Sequence, residues 1–384
     1  MNTVSTAPID RYSTTMEPGI AAVFARRDVR DFATPYQIRP IAEIAASLDK
    51  FFADVRPGHR TVNIRRVAGG ASKEMFLFDL VDSASKRLVT YVLRMDPSMS
   101  AVETCRAREA EICNALTEVV PVPRVPWLDA DGSRLGAPSL IMELASGVTQ
   151  TEEARRAPGG IGFASEGELN KVLAAQFVDN LAAIHAFDWQ NAHLRTFQAP
   201  VEDPYQAARW QVNWWSHVWQ TDAVLHSPAM AAAEIWLREN LPACTDPVVV
   251  HGDYRSGNYM FDPTDGRFTA VLDWEAAHLG DFHEDLGETM PRAFGGLGSD
   301  GQLLVSGLMP RDQFLEQYER RSGRTVDPKC LHFYEVLACY KCAALCLAAA
   351  LRTAVNQQNH QDIHQTWLVS AGHAFADELF ELIQ

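Results

Sequence analysis

The sequence predicts an α+β fold in two lobes: a small antiparallel sheet with one main helix over residues 41–143, and a larger, mostly helical lobe over residues 144–384. Three observations carry this expectation. Strand-type runs of alternating apolar residues cluster between Val62 and Met95, interrupted by the pair Gly69-Gly70. From residue 166 onward the apolar spacing turns helical. Within the helical part, residues 248–275 instead read as strand, polar loop, short strand, turn and strand.

Taken in order, residues 1–40 lack periodicity and read as an accessory N-terminal extension. Ile44, Leu48, Phe51, Phe52 and Val55 share one helical face, and Pro57-Gly58 ends that helix. A strand with Val62 and Ile64 leads into Gly69, Gly70, Ala71 and Ser72, after which Met75 to Val81 and Leu88 to Met95 resume strand character. A strand–glycine turn–strand can offer backbone N–H groups to phosphates; alone, it equally suits a plain hairpin. Residues 101–117 form a helix carrying Glu103, Glu109 and Glu111. A Pro-rich extended passage (120–128) precedes a strand (139–148) that runs into a small-residue link. Helices follow over 166–188, 203–220, 311–321, 331–353 and 361–382. His185, ending the first of these, reads as a core histidine. On 203–220, Trp210 and Trp214 share one face while Trp215 and Trp219 share another, so the second pair is placed either in the core or along a cleft.

The stretch 248–275 carries the chemistry. Val248-Val249-Val250 delivers His251-Gly252-Asp253 into a loop, Asn258 follows five positions later, Asp265-Gly266 makes a hairpin turn, and the returning strand ends at Asp273. Two carboxylates and an amide oxygen thus converge at one end of a small sheet. Phosphoryl transfer uses such a set: one carboxylate accepts the attacking hydroxyl's proton, and the other, with the amide, holds Mg²⁺, a hard cation that prefers oxygen. Asp and Asn also make ordinary turns. The full run HGDYRSGN followed by VLDWE separates the two readings.

That run resembles the catalytic and metal loops of the aminoglycoside phosphotransferase and choline kinase family, which has a protein-kinase-like fold. Its Tyr-Arg variant is similar to the branch that forms the kinase domain of acyl-CoA dehydrogenase-fused proteins. The resemblance implies Asp253 as catalytic base and Asn258 and Asp273 as Mg²⁺ ligands. It implies ATP beneath Gly69, Gly70, Ala71 and Ser72 and against Arg94, which stands where the family usually has Lys, with Glu109 as its helix partner. The strand ending at Glu143, with Ala145 beyond it, corresponds to the family's interlobe hinge, whose backbone faces the adenine. His251 and Asp285 correspond to supports of the catalytic loop, and Arg255 to a cation beside the transferring phosphoryl group. Each has a plainer alternative: Arg94–Glu109 as a surface ion pair, Arg255 salt-bridged to an acid such as Asp285, and Asp285 as a helix cap.

Composition narrows the function further. A net charge of −15 leaves no cationic surplus for nucleic acid or an anionic membrane. Seven cysteines in 384 residues do not suggest a disulfide framework, and Cys339, Cys342 and Cys346 read as core thiols. The Met1–Pro18 segment is too polar for a signal peptide, and the run Val336–Leu351 reads as too short and broken for a membrane span. The expectation is a cytoplasmic, ATP-dependent small-molecule O-phosphotransferase acting on a hydroxyl; the rival is a pseudokinase or interaction module that holds a nucleotide or a partner without transferring phosphate, for which Arg94 speaks. The acceptor is either an aminoglycoside or a more apolar alcohol such as a hydroxyacyl group or a natural product, and the tryptophan-rich helix favours the latter.

Overall fold

A computed structural model describes residues 13–28, 36–67, 72–97, 100–151, 167–357 and 362–384. The first lobe holds helix α2 (Ile41–Val55), strands β1 (His59–Arg66), β2 (Glu74–Asp82) and β3 (Leu88–Met95), helix α3 (Arg106–Ala115), and strands β4 (Trp127–Asp129) and β5 (Ser139–Glu143). The five strands form one antiparallel sheet in the order β1-β2-β3-β5-β4. Helix α2 lies on this sheet because its apolar stripe of Ile44, Leu48, Phe51 and Phe52 joins the alternate strand residues Phe76, Phe78, Leu93 and Ile141 in one buried cluster. Arg94 stands opposite Met75 on one side and Leu140 on the other, so the sheet's central strand carries it.

The second lobe contains α4 (Glu168–His185), α5 (Gln206–Asp222), α6 (Pro228–Glu239), α7 (His283–Glu288), α8 (Arg311–Ser322), α9 (Pro328–Ala344) and α10 (Asp362–Leu382). Its strands are short. β6 (Val248–Val250) pairs with β9 (His278–Gly280), and β7 (Tyr259–Phe261) forms a hairpin with β8 (Phe268–Val271). Gly266 turns that hairpin at φ +75°, a left-handed conformation open to glycine at little cost. Val148 bridges to Phe261, tying the interlobe link to the hairpin. A third small sheet, β10 (Gly296–Leu297), β11 (Leu303–Val305) and β12 (Met309–Pro310), and helix α6 lie outside the sequence expectations. Helix α6 is nonetheless locally encoded: Ser227 caps it, accepting from the Met230 N–H, and Pro228 opens it.

Two expectations need correction. The segment 1–40 is not wholly accessory, since helix α1 (Pro18–Asp28) buries Ile20 and Phe24 in the second-lobe core. Charged groups anchor it too: Glu17 takes the Arg108 guanidinium, and Arg27 pairs with Asp222. The apolar run at Val336–Leu351 is neither short nor broken in structure. α9 continues through a π-helical turn (Leu345–Ala350) to Val355, and Pro328–Val355 is long and apolar enough to cross a membrane. It is 83% buried over its most apolar window, as the central helix of the lobe. Cys339, Cys342 and Cys346 are buried there, as expected.

Candidate active site

The three valines of β6 are wholly buried, so the strand is a fixed mount and the loop after it begins at a defined point. His251 Nε2 donates to the Leu272 carbonyl at 2.9 Å, leaving Nδ1 to accept the Asp253 N–H at 3.2 Å. Burial lowers the proton affinity of this imidazole, which suits a neutral ring that donates from one nitrogen and accepts at the other. Gly252 has φ +76°, and a Cβ there would meet the Ala276 carbonyl at 2.8 Å. Only glycine passes.

Asp285 sits in the first turn of α7, completely buried, and takes the His251 N–H and the Gly252 N–H at 2.8 Å each. His185 Nε2 bonds the same carboxylate at 3.1 Å, and its Nδ1 bonds the Tyr318 hydroxyl at 2.7 Å. Asp285 therefore holds the loop backbone rather than capping its helix, and the buried His185 holds Asp285. Burial opposes ionisation of Asp285, but the hydrogen bond and charge of His185 and the backbone donors win, keeping its carboxyl below the usual range.

Asp253 and Asn258 come together, and Asp273 follows Leu272, whose N–H donates to the Asn258 carbonyl at 2.8 Å. Asn258 Nδ2 donates to Asp253 Oδ2 at 2.6 Å and to the Asp253 carbonyl at 2.9 Å. With the amide nitrogen so engaged, Asn258 presents its Oδ1 as the oxygen a hard cation could take. Arg255 Nε donates to Asp253 Oδ1 at 2.7 Å, and its guanidinium lies over the Phe294 ring. Its ion pair is with Asp253, not Asp285. Asp273 stands just beyond β8 at φ 62°, a left-handed conformation rare for a non-glycine residue, with its side chain 43% exposed. The exposed carboxylate, the Asn258 oxygen and the neighbouring Asp253 form an all-oxygen set that fits Mg²⁺.

Arg94 reaches Asp273 Oδ1 and Glu109 Oε1, both at 2.7 Å, and Glu275 at 3.2 Å. The Arg94–Glu109 pair is buried, with side chains 7% and 1% exposed, so it is not a surface pair. Around it lies a cluster that sequence reading missed. Arg106 pairs with Glu109, with Glu275 at 3.1 Å and with Asp96 at 3.3 Å; Lys73 lies 3.2 Å from Asp96 and 3.6 Å from Glu275. Burial favours the neutral form of Glu275, but Lys73, Arg94 and Arg106 overcome it and draw its pKa down to about 2. Glu275 follows Asp273 by two positions in the motif, which was the available signal. Lys73 had one only in directly following Ser72.

Of the remaining expected residues, Glu143 ends β5 with its N–H bonded to the Arg124 carbonyl, and Ala145 lies in the link beyond. Ser72 accepts from Ser100 Oγ at 3.0 Å. Gly69, Gly70 and Ala71 lie outside the described residues. Next to Asp253 opens a cavity of about 90 Å³ walled by Trp215, Phe294, Leu345, Cys346, Leu368 and Phe375. Trp215 thus faces this cavity, while Trp214 stacks on it at 5.2 Å within the core. The π-helical turn supplies Leu345 and Cys346, a placement such turns often have.

Two larger hollows, of about 430 and 550 Å³, lie elsewhere on the second lobe. The first contains Asp281, His283 and Cys330, close enough to suggest a metal. His283 Nε2 accepts the Asp327 N–H at 2.9 Å, so Nδ1 carries the proton it shares with Asp281 at 2.6 Å. The cluster is already satisfied as a hydrogen-bond network.

Comparison with known proteins agrees with this geometry. The profile of the phosphotransferase enzyme family matches residues 63–334. Acyl-CoA dehydrogenase family member 10 of Mus musculus is 29% identical over 257 residues, covering 65% of this chain but only 22% of that protein. A crystal structure of a putative aminoglycoside phosphotransferase from Ralstonia eutropha JMP134 superposes with a TM-score of 0.62 at 23% identity, covering 88% of this chain and 98% of that one. The GDP complex of aminoglycoside 2'-phosphotransferase-IIIa superposes at 0.55 with 11% identity, over 89% and 99% of the two chains. The last two likenesses speak to the fold. With a matched profile over most of its length and a two-lobe kinase-like fold, the chain belongs to the phosphotransferase enzyme family.

Proposed function

We propose that the protein transfers the γ-phosphoryl group of ATP to the hydroxyl of a small, largely apolar acceptor. The observation that carries this reading is the Asp253–Asn258 contact beside the strand end that carries Asp273, with Asp273 held at 2.7 Å by Arg94 from the central strand of the first-lobe sheet. Asn258 Oδ1 and the Asp273 carboxylate would hold Mg²⁺, which when bound neutralises charge on the nucleotide phosphates. Arg94, held charged among Glu109, Asp273 and Glu275 despite its burial, meets the phosphates in place of the usual Lys. An acceptor hydroxyl entering the cavity replaces one partner of the Asp253 carboxylate, which orients the hydroxyl and takes its proton as the oxygen attacks. Arg255, two residues on and steadied on Phe294, stabilises charge on the transferring oxygens.

The cavity speaks to acceptor class. Its walls are mostly apolar, and each carboxylate lining it is already paired: Asp253 with Arg255, Glu275 with Arg94, and Glu288 with Lys341. A polycationic aminoglycoside would find its anionic anchors taken. A hydroxyacyl compound or an apolar natural-product alcohol fits this chemistry better.

The test is ADP release with Mg²⁺-ATP over aminoglycosides, amino alcohols, macrolides, sugars and hydroxyacyl thioesters, with Asp253→Asn protein as blank. Release above the blank with an apolar hydroxyl compound is expected. Release with aminoglycosides alone would overturn the acceptor assignment, and absence of nucleotide binding would overturn the kinase reading in favour of a pseudokinase. Arg94→Met, which leaves Glu109 and Asp273 without their cation, should raise the KM for ATP roughly 10- to 100-fold, at about 1.4 kcal/mol per decade. An unchanged KM would remove Arg94 from the nucleotide site.

A further inference from the structure

Lys341 projects from the middle of α9 into the floor of the cavity beside Asp253, with its side chain 9% exposed. Its ammonium donates to the Gly252 carbonyl, lies 3.1 Å from Glu288 Oε2, and faces the Trp215 ring at 5.6 Å from the centroid. A lysine ammonium has three N–H donors. Here one goes to the catalytic loop, one to an acid on α7 and one toward an aromatic face, so the protein itself engages all three directions.

The Gly252 carbonyl belongs to the peptide that joins Gly252 to Asp253. Asp285 restrains the N–H groups of His251 and Gly252, two and one residues before the base. Nothing in that clamp sets the plane of the next peptide, and Gly252 is the residue with the widest backbone freedom. The N–H of that peptide meets His251 Nδ1 at 3.2 Å, and the carbonyl bond from Lys341 holds its other side. The rotation of that plane determines where the Asp253 Cα–Cβ bond points, and hence where its carboxylate meets an acceptor. We propose that Lys341 is a positioning residue for phosphoryl transfer, fixing the Gly252–Asp253 peptide from its carbonyl side as Asp285 fixes the preceding ones from their N–H side. This rests on the phosphotransferase reading above.

Stability alone is a poor account of such a lysine. Burial disfavours its charge, and Glu288 and Asp253 together keep it protonated. A buried ion pair of this kind is often no more stabilising than apolar residues of equal volume. What an apolar residue cannot do is donate to the Gly252 carbonyl.

The experiment uses the full chain with Lys341→Met, which keeps the length and apolar stem, and Lys341→Gln, which is neutral. Three quantities are read: kcat with the best acceptor, KM for ATP, and hydrogen exchange of the amides in residues 251–258. The expected result is a kcat lower by roughly 10²-fold, as for a base displaced by about an ångström, with KM for ATP within threefold. Exchange in the loop should quicken while that of β3 and α4 is unchanged. A kcat per folded molecule within twofold of the parent, loop exchange at the parent rate, or loss of folded protein in both variants would overturn the proposal and leave a purely structural ion pair. Should the parent protein turn over no acceptor, the phosphotransferase reading fails separately, and loop exchange still decides whether Lys341 holds this peptide.

Discussion

Asp253→Asn is expected to lower kcat by roughly 10²–10⁴-fold, the usual contribution of a positioned general base, while the Kd for Mg²⁺-nucleotide changes less than threefold. Asn has the shape of Asp; its one carbonyl oxygen can still accept the Arg255 Nε–H, and the Asn258 amide keeps its second acceptor, the backbone carbonyl of residue 253. It cannot take a proton from an attacking hydroxyl. Nucleotide contacts assigned to Arg94 and the cation ligands on Asn258 and Asp273 are left in place. Single-turnover transfer and nucleotide titration on the same preparation separate the two effects. Equal loss of turnover and binding would show that Asp253 holds the nucleotide or its metal rather than the acceptor.

Asp285→Ala should be the more damaging change for the fold. The carboxylate is fully buried and accepts from two backbone N–H groups and His185. Its removal leaves two buried N–H donors and His185 Nε2 unpartnered, at roughly 3–5 kcal/mol for breaking a buried charged network, a large share of the ~5–15 kcal/mol that holds a domain together. Its titration adds a pH signature. Because the folded-state carboxyl titrates below the unfolded value of about 3.9, its contribution is complete above that pH and is lost as pH falls through the lower folded value. The parent should lose stability in that acid window more steeply than Asp285→Ala. Urea midpoints at pH 7 and across pH 5 to 3 check both claims, and parallel acid profiles for the two proteins would mean that Asp285 is not the group responsible.

What could be read in the sequence was local. The period of Ile44, Leu48, Phe51 and Phe52 gave helix α2, and the alternation from Met75 to Val81 gave β2, because one face of each element must be buried. Helix α1 escaped notice because its few apolar residues make a short, weak pattern that only packing into the second-lobe core completes. Helix α6 escaped as an alanine-rich stretch with only a few large apolar residues.

At the site the same division holds. The run from His251 to Asp273 is contiguous, and the carboxylates, amide and turn glycines it brings are written in its residue types and spacing. Lys73, Arg106, Glu288 and Lys341 reach that site from four separate elements. A buried lysine and an exposed one look alike in a sequence, since burial is set by what packs around them. The sequence by itself determined the fold class, the loop from His251 to Asn258 and the family; the tertiary structure alone decided which distant charges surround that loop, because desolvation and ion pairing depend on three-dimensional distance and not on position along the chain.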